Sequence, residues 1–163
     1  MQYILNDEAK GIDYSRYLEY LQTIRRDLPD HVYDFASDSH HFDLSSPSSL
    51  HDAWLESLTV RELASGSRNE VRKLEVKLSL LGQYHDRTIH LTYSGVERYS
   101  FDSPARPGDP RYSHTAHGDL LTHEIRLGTH GLFVHELLFE RGSTLVVEFS
   151  EFAHLEEPFD TNQ

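Results

Sequence analysis

The chain of 163 residues contains no cysteine, one methionine and one tryptophan. Without a thiol there is no disulfide, no cysteine nucleophile and no cysteine-ligated zinc. Long apolar runs are missing too: no window approaches the ~20 residues of a membrane-spanning helix. The first ten residues, MQYILNDEAK, lack the basic start and apolar stretch of a signal peptide. The expectation is a soluble, cytoplasmic protein that does not engage membranes.

Positive charge is scarce. Lys and Arg number 15 against 27 Asp and Glu, for a formal net charge of −12. The deficit is uneven. Residues 1–63 carry 12 acidic and 5 basic side chains, residues 64–127 carry 8 and 9, and residues 128–163 carry 7 and 1. Phosphate backbones are repelled by such a surface, which argues against nucleic-acid binding. A basic protein partner would be steered toward it.

Recognised catalytic signatures are also lacking. There is no GxSxG elbow, no Walker A loop and no GxGxxG after a strand. Ser, His and Asp are so plentiful that a triad assembled from them would prove nothing. No catalytic residue and no cofactor is assigned.

What is present suits one domain over residues 1–163, with a helical front over 1–50 and a sheet over 51–155. Hydrophobic residues make up 37%, including nine Tyr and eight Phe, which is enough to build a core without staples. In DYSRYLEYLQTIRRDLPD, Tyr14, Tyr17, Leu18, Leu21, Ile24 and Leu28 recur at helical spacing, with Asp13 as N-cap. Pro29 ends this helix or starts a short second one to about Ser37, with Val32 and Phe35 inward. SDSHHFDLSSPSSL reads as a loop, and MQYIL as a short edge strand.

From residue 51 the period changes to two. Leu74, Val76, Leu78 and Leu80 alternate with polar residues, as in a strand with one wet face. RTIHLTYSGVERYSF follows, with Gly95 as a bulge, then LLTHEIRL, LFVHELLF and TLVVEFSEF. Short connections link them. The fold class is α+β: the N-terminal helix, with the short second helix, packs on a mostly antiparallel, twisted meander sheet of five or six strands. Trp54, in the apolar AWL run, is expected between sheet and helix.

One hairpin can be placed in register. A three-residue loop, Thr129-His130-Gly131, sets Leu127 opposite Phe133 and Ile125 opposite His135. Leu121 shares their parity and is expected on the same face. His123 and His135 then become diagonal neighbours on the apolar face. A metal there would need a third ligand, and two neutral imidazoles can also sit in a core if each N–H finds an acceptor.

The dipeptide His-Asp occurs twice, at His51-Asp52 and His85-Asp86. In HD-domain phosphohydrolases it lies on a helix, whereas both pairs here border period-two segments, so that resemblance fails. A meander brings His51, Asp52, His85 and Asp86 to one end of the sheet, where His130 and the stretch Glu151–His154 are also expected. Such a rim is the candidate binding site. As the alternative, its four His and Asp residues form a metal site of a small hydrolase, using nitrogen and oxygen ligands. The Pro-rich loop over 102–118, with Arg106, Arg111 and Tyr112, is a candidate flexible binding element.

The runs LHDAWLESLTV and LLGQYHDRTIHLTYSGV, with the strand-rich tail, resemble uncharacterised small bacterial α+β proteins, some grouped with the immunity proteins of polymorphic toxin systems. The resemblance covers about half the chain and transfers no functional residue. It implies a compact cytoplasmic protein that binds another protein. The leading expectation is therefore a non-enzymatic, acidic interaction module, an immunity-like neutraliser of a basic partner.

Overall fold

The computed structural model describes residues 1–7, 11–103 and 117–159. A small antiparallel pair, β1 (Leu5–Asp7) and β2 (Gly11–Asp13), precedes helices α1 (Ser15–Ile24) and α2 (Asp30–Ser37) and a 3-10 turn, Ser39–His41. Eight strands follow: β3 (Trp54–Ser65), β4 (Val71–Leu81), β5 (Arg87–Ser94), β6 (Arg98–Asp102), β7 (Leu120–Leu127), β8 (Phe133–Phe139), β9 (Thr144–Phe149) and β10 (Glu151–Pro158). The α+β class holds, and no helix among the described residues is long and apolar enough to cross a membrane.

The strands do not form one sheet. They divide into two antiparallel four-stranded sheets, ordered β10-β5-β4-β3 and β6-β9-β8-β7. The division comes from two bends placed side by side. The chain leaves the first sheet between β5 and β6 and returns between β9 and β10, with Ser150 N donating to Ser94 O. Gly95 sits at the corner with φ 59°, and a Cβ there would lie 2.1 Å from Ser150 Oγ. Only glycine tolerates both the left-handed backbone and the close approach. The expected bulge is thus the corner at which strands switch sheets.

Both sheets share one core. Val76, Leu78, Leu80, Ile89, Leu91 and Tyr93 of the first meet Ile125, Leu137, Val147 and Phe149 of the second. Leu74, expected among them, is only half-buried because it lies where β4 runs out past its neighbour β5. The β7–β8 register agrees with the sequence reading, with Leu127 opposite Phe133 and Ile125 opposite His135. A register shift at Leu120/Thr122 breaks the parity further up, so Leu120 is buried where Leu121 was expected.

The helices seal this core. Tyr17, Leu21 and Ile24 of α1 and Val32, Phe35 and Ala36 of α2 are buried, whereas Leu18 is exposed on the outer side of the stripe. Asp13 Oδ1 accepts from Ser15 N (2.9 Å), so it steadies the helix start just before the Tyr14 cap position. Tyr17 and Tyr20 hydrogen-bond the open edge of β7: Ile125 N donates to Tyr17 Oη (2.7 Å) and Leu127 N to Tyr20 Oη (3.0 Å). The stretch expected as an edge strand behaves differently. The amides of Gln2, Tyr3 and Ile4 donate to the buried Glu124 carboxylate, and the strand begins only at Leu5.

Trp54 overturns its expectation. It opens β3, the edge strand, and is 46% exposed, with its ring against His85 (4.3 Å between centroids). Its partner across the ladder is Leu81, so it points to the outer face, while Leu55 opposite the buried Leu80 takes the inward place.

Candidate functional site

The two His-Asp pairs reach the same end of the first sheet, since Trp54 pairs with Leu81 and the turn over residues 82–86 follows directly. Each pair is built for a turn. Asp52 (φ 65°) and His85 (φ 54°) occupy the left-handed region, where Asp, Asn and His are the more tolerated side chains. His51 Nδ1 lies 2.7 Å from Asp52 Oδ1 without hydrogen-bond alignment. Asp86 pairs with Arg87 (3.0 Å), whose hydrogen bonds hold the carboxyl below the usual range. The four groups turn to their own neighbours and do not converge on a common point.

His130 does not join them. Asp52 N donates to Leu120 O, at the start of β7, while His130 lies in the turn after Leu127 at the other end of that strand. Nor does β10 finish at His154: it runs to Pro158, and Glu156 and Glu157, rather than Glu151, approach the rim. Arg106, Arg111 and Tyr112 lie outside the described residues.

Chemistry converges elsewhere, around Phe35 at the end of α2. Four imidazoles surround its ring at centroid distances of 4.5 Å (His41), 5.5 Å (His123), 5.9 Å (His135) and 4.9 Å (His154). Two of them form a buried chain: Tyr93 Oη lies 2.8 Å from His135 Nδ1, and His135 Nε2 lies 3.1 Å from His123 Nδ1. When Tyr93 donates its only proton, His135 donates onward to His123, whose own proton then sits on Nε2. That atom is buried without a hydrogen-bond partner. Burial pushes His135 down to about 3 and His123 well below the ordinary imidazole value, so both are neutral.

The other two face a pocket of about 560 Å³ between α2, the 3-10 turn and β10. Asp34, Asp38, His40, His41, His154 and Glu156 are among its lining residues. The acidic front and acidic tail of the sequence therefore meet here. Alternation along β10 turns Phe152, His154 and Glu156 to the same inner side. Burial lowers the pKa of His41 and of His154, and the nearby Asp38 and Glu156 charges offset this in part.

Among the described residues, His41, His154 and Glu156 are the group of His and carboxylate side chains with ligand atoms all within 4.8 Å of one another. The sequence did carry half of this signal, since a His-x-Glu on a strand faces one way. The other half, His41, comes from a Ser- and Asp-rich stretch without periodicity, and only α2 docking on β10 brings it in.

No protein-family model and no curated protein matches the chain.

Proposed function

We propose that the chain is a cytoplasmic, immunity-like binding protein that captures a basic protein partner along the open β3 edge. The observation that carries this reading is the arm formed by β3 and β4. β4 pairs with β5 only from Glu75 onward, so the ribbon of residues 62–74 stands out beyond the sheet. An isolated two-stranded ribbon is marginal in water and gains stability when something covers it. On one of its faces Leu63 and Val71 are 36% and 47% exposed, and Trp54 (46%) shares that face at the base of the strand.

Charge selects the partner. The arm carries three basic and two acidic side chains, a balance of +1 within a net of −12, so the rest of the chain carries −13. An apolar, almost neutral contact strip on an acidic body suits a partner with an apolar patch and a positive surround. The edge also offers unpaired backbone groups for strand addition.

Site-specific photocrosslinking tests the reading. A photoreactive phenylalanine replaces Leu63, Val71 or, as control, the exposed Leu44, in the full chain expressed in its source cell. One dominant adduct with a basic protein from positions 63 and 71, absent from 44, is expected. The same adducts from all three positions, or none, would overturn it.

A further inference from the structure

We infer that His41, His154 and Glu156 form a binding site for a divalent transition metal, zinc by preference, at the inner wall of the α2–β10 pocket. The inference rests on different residues from the β3 arm.

Two of the three donors are already oriented by a second contact. His41 Nδ1 lies 2.9 Å from Phe35 O. A carbonyl only accepts, so Nδ1 carries the proton and Nε2 holds a free lone pair. This is the way protein zinc ligands are commonly fixed: the remote ring N–H is committed to a backbone carbonyl. Glu156 Oε2 accepts from Arg87 Nη1 (2.6 Å) and Ser48 Oγ (3.1 Å), which leaves Oε1 as the free oxygen. Oε1 lies 3.7 Å from His154 Nε2, too long for a hydrogen bond, and His154 Nε2 is buried with no hydrogen-bond partner in the protein. An unpaired polar atom beside a free carboxylate oxygen is costly unless a shared ligand binds both.

The geometry suits an ion. Ligand atoms ~2.1 Å from zinc stand about 3.4 Å apart in a tetrahedron. The His154–Glu156 separation is already within a few tenths of that value. His41 then has at most ~1.4 Å to close from the 4.8 Å limit, a side-chain adjustment.

The donor set selects the metal. Two imidazoles and one carboxylate, without thiolate, suit zinc and related first-row ions better than calcium or magnesium, which prefer all-oxygen shells. Three protein ligands beside an open pocket leave a fourth position for water or a small oxygen ligand, the pattern of open rather than structural zinc sites. Asp34 and Asp38 at the mouth add negative potential that favours cation entry.

Full-length protein stripped with chelator and titrated with zinc chloride tests the site by calorimetry and by thermal melting. One zinc per chain and a melting temperature that climbs with zinc concentration are expected. His154→Gln and Glu156→Gln should each weaken binding at least tenfold, while His51→Gln and His90→Gln leave it unchanged. Cobalt in place of zinc should give visible absorption bands that disappear in the same two variants. If His154→Gln fails to fold, Glu156→Gln and the cobalt spectrum still decide. Absence of a stoichiometric, zinc-dependent shift in the wild-type chain would overturn the site. So would equal loss in His51→Gln or His90→Gln, which would assign the binding to scattered surface histidines.

Discussion

His123 and His135 face each other across the β7–β8 hairpin, with Nδ1 of the first 3.1 Å from Nε2 of the second and both side chains buried. Two neutral rings can share one proton along this contact, but two charged rings cannot. The pair is therefore a built-in sensitivity to acid.

Stability should fall as pH drops below about 6.5, the unfolded imidazole value. All four rings around Phe35 have folded pKa values displaced downward, so the unfolded chain binds protons that the folded chain refuses. Their contribution is complete above about 6.5 and is lost as pH falls toward the folded values, about 3 for His135. Urea denaturation at several pH values checks this. The midpoint should be level between pH 7 and 8 and decline between pH 6.5 and 5, before most carboxylates titrate. A His135→Gln variant should show a shallower decline.

Tyr17 replaces a missing strand at the edge of β7, because its hydroxyl accepts from Ile125 N (2.7 Å) and donates to Ile125 O (3.2 Å). Tyr17→Phe keeps the ring in the core but leaves both backbone groups unpaired. Destabilisation of about 1–3 kcal/mol is expected. Hydrogen exchange at the Ile125 amide should accelerate by more than the global change explains, and unchanged protection there would show that another group covers the edge.

Asp52 tests the turn origin of the His-Asp pairs. Its φ of 65° costs little for Asn or Gly, and much more for a β-branched residue. Asp52→Asn and Asp52→Gly should change stability by less than about 1 kcal/mol, whereas Asp52→Val should cost about 1–3 kcal/mol. Equal losses in Asn and Val variants would mean that the carboxylate charge, rather than the backbone, is what position 52 needs.

Trp54 reports on the open edge. Being 46% exposed, it should emit at long wavelength and be quenched readily by acrylamide in the folded protein. Its ring contact with His85 (4.3 Å) predicts a change in emission intensity in His85→Gln. A blue-shifted, protected emission in the isolated chain would mean that the β3 edge is covered.

Local pattern carried much of this architecture. Alternation along β4, β5 and β8, helical spacing through Tyr17, Leu21 and Ile24, and the Leu127–Phe133 register all follow from side-chain direction on regular backbone. A short loop fixes parity, and parity fixes which residues meet. The same parity places His123 beside His135.

Tertiary structure decided the rest. Whether strands join one sheet or two depends on a corner at Gly95 and Ser150, residues 55 positions apart, and a glycine alone does not distinguish a bulge from a bend. Trp54 is exposed because its pairing with Leu81 turns it to the outer face, and register is settled between strands rather than within one. His41 meets His154 and Glu156 only because α2 carries an aperiodic loop onto β10. Sequence thus determined what each segment does over distances its own backbone spans. Contacts between segments were set by the shared core, where burial rewards any arrangement that closes it, and only the fold selects which one.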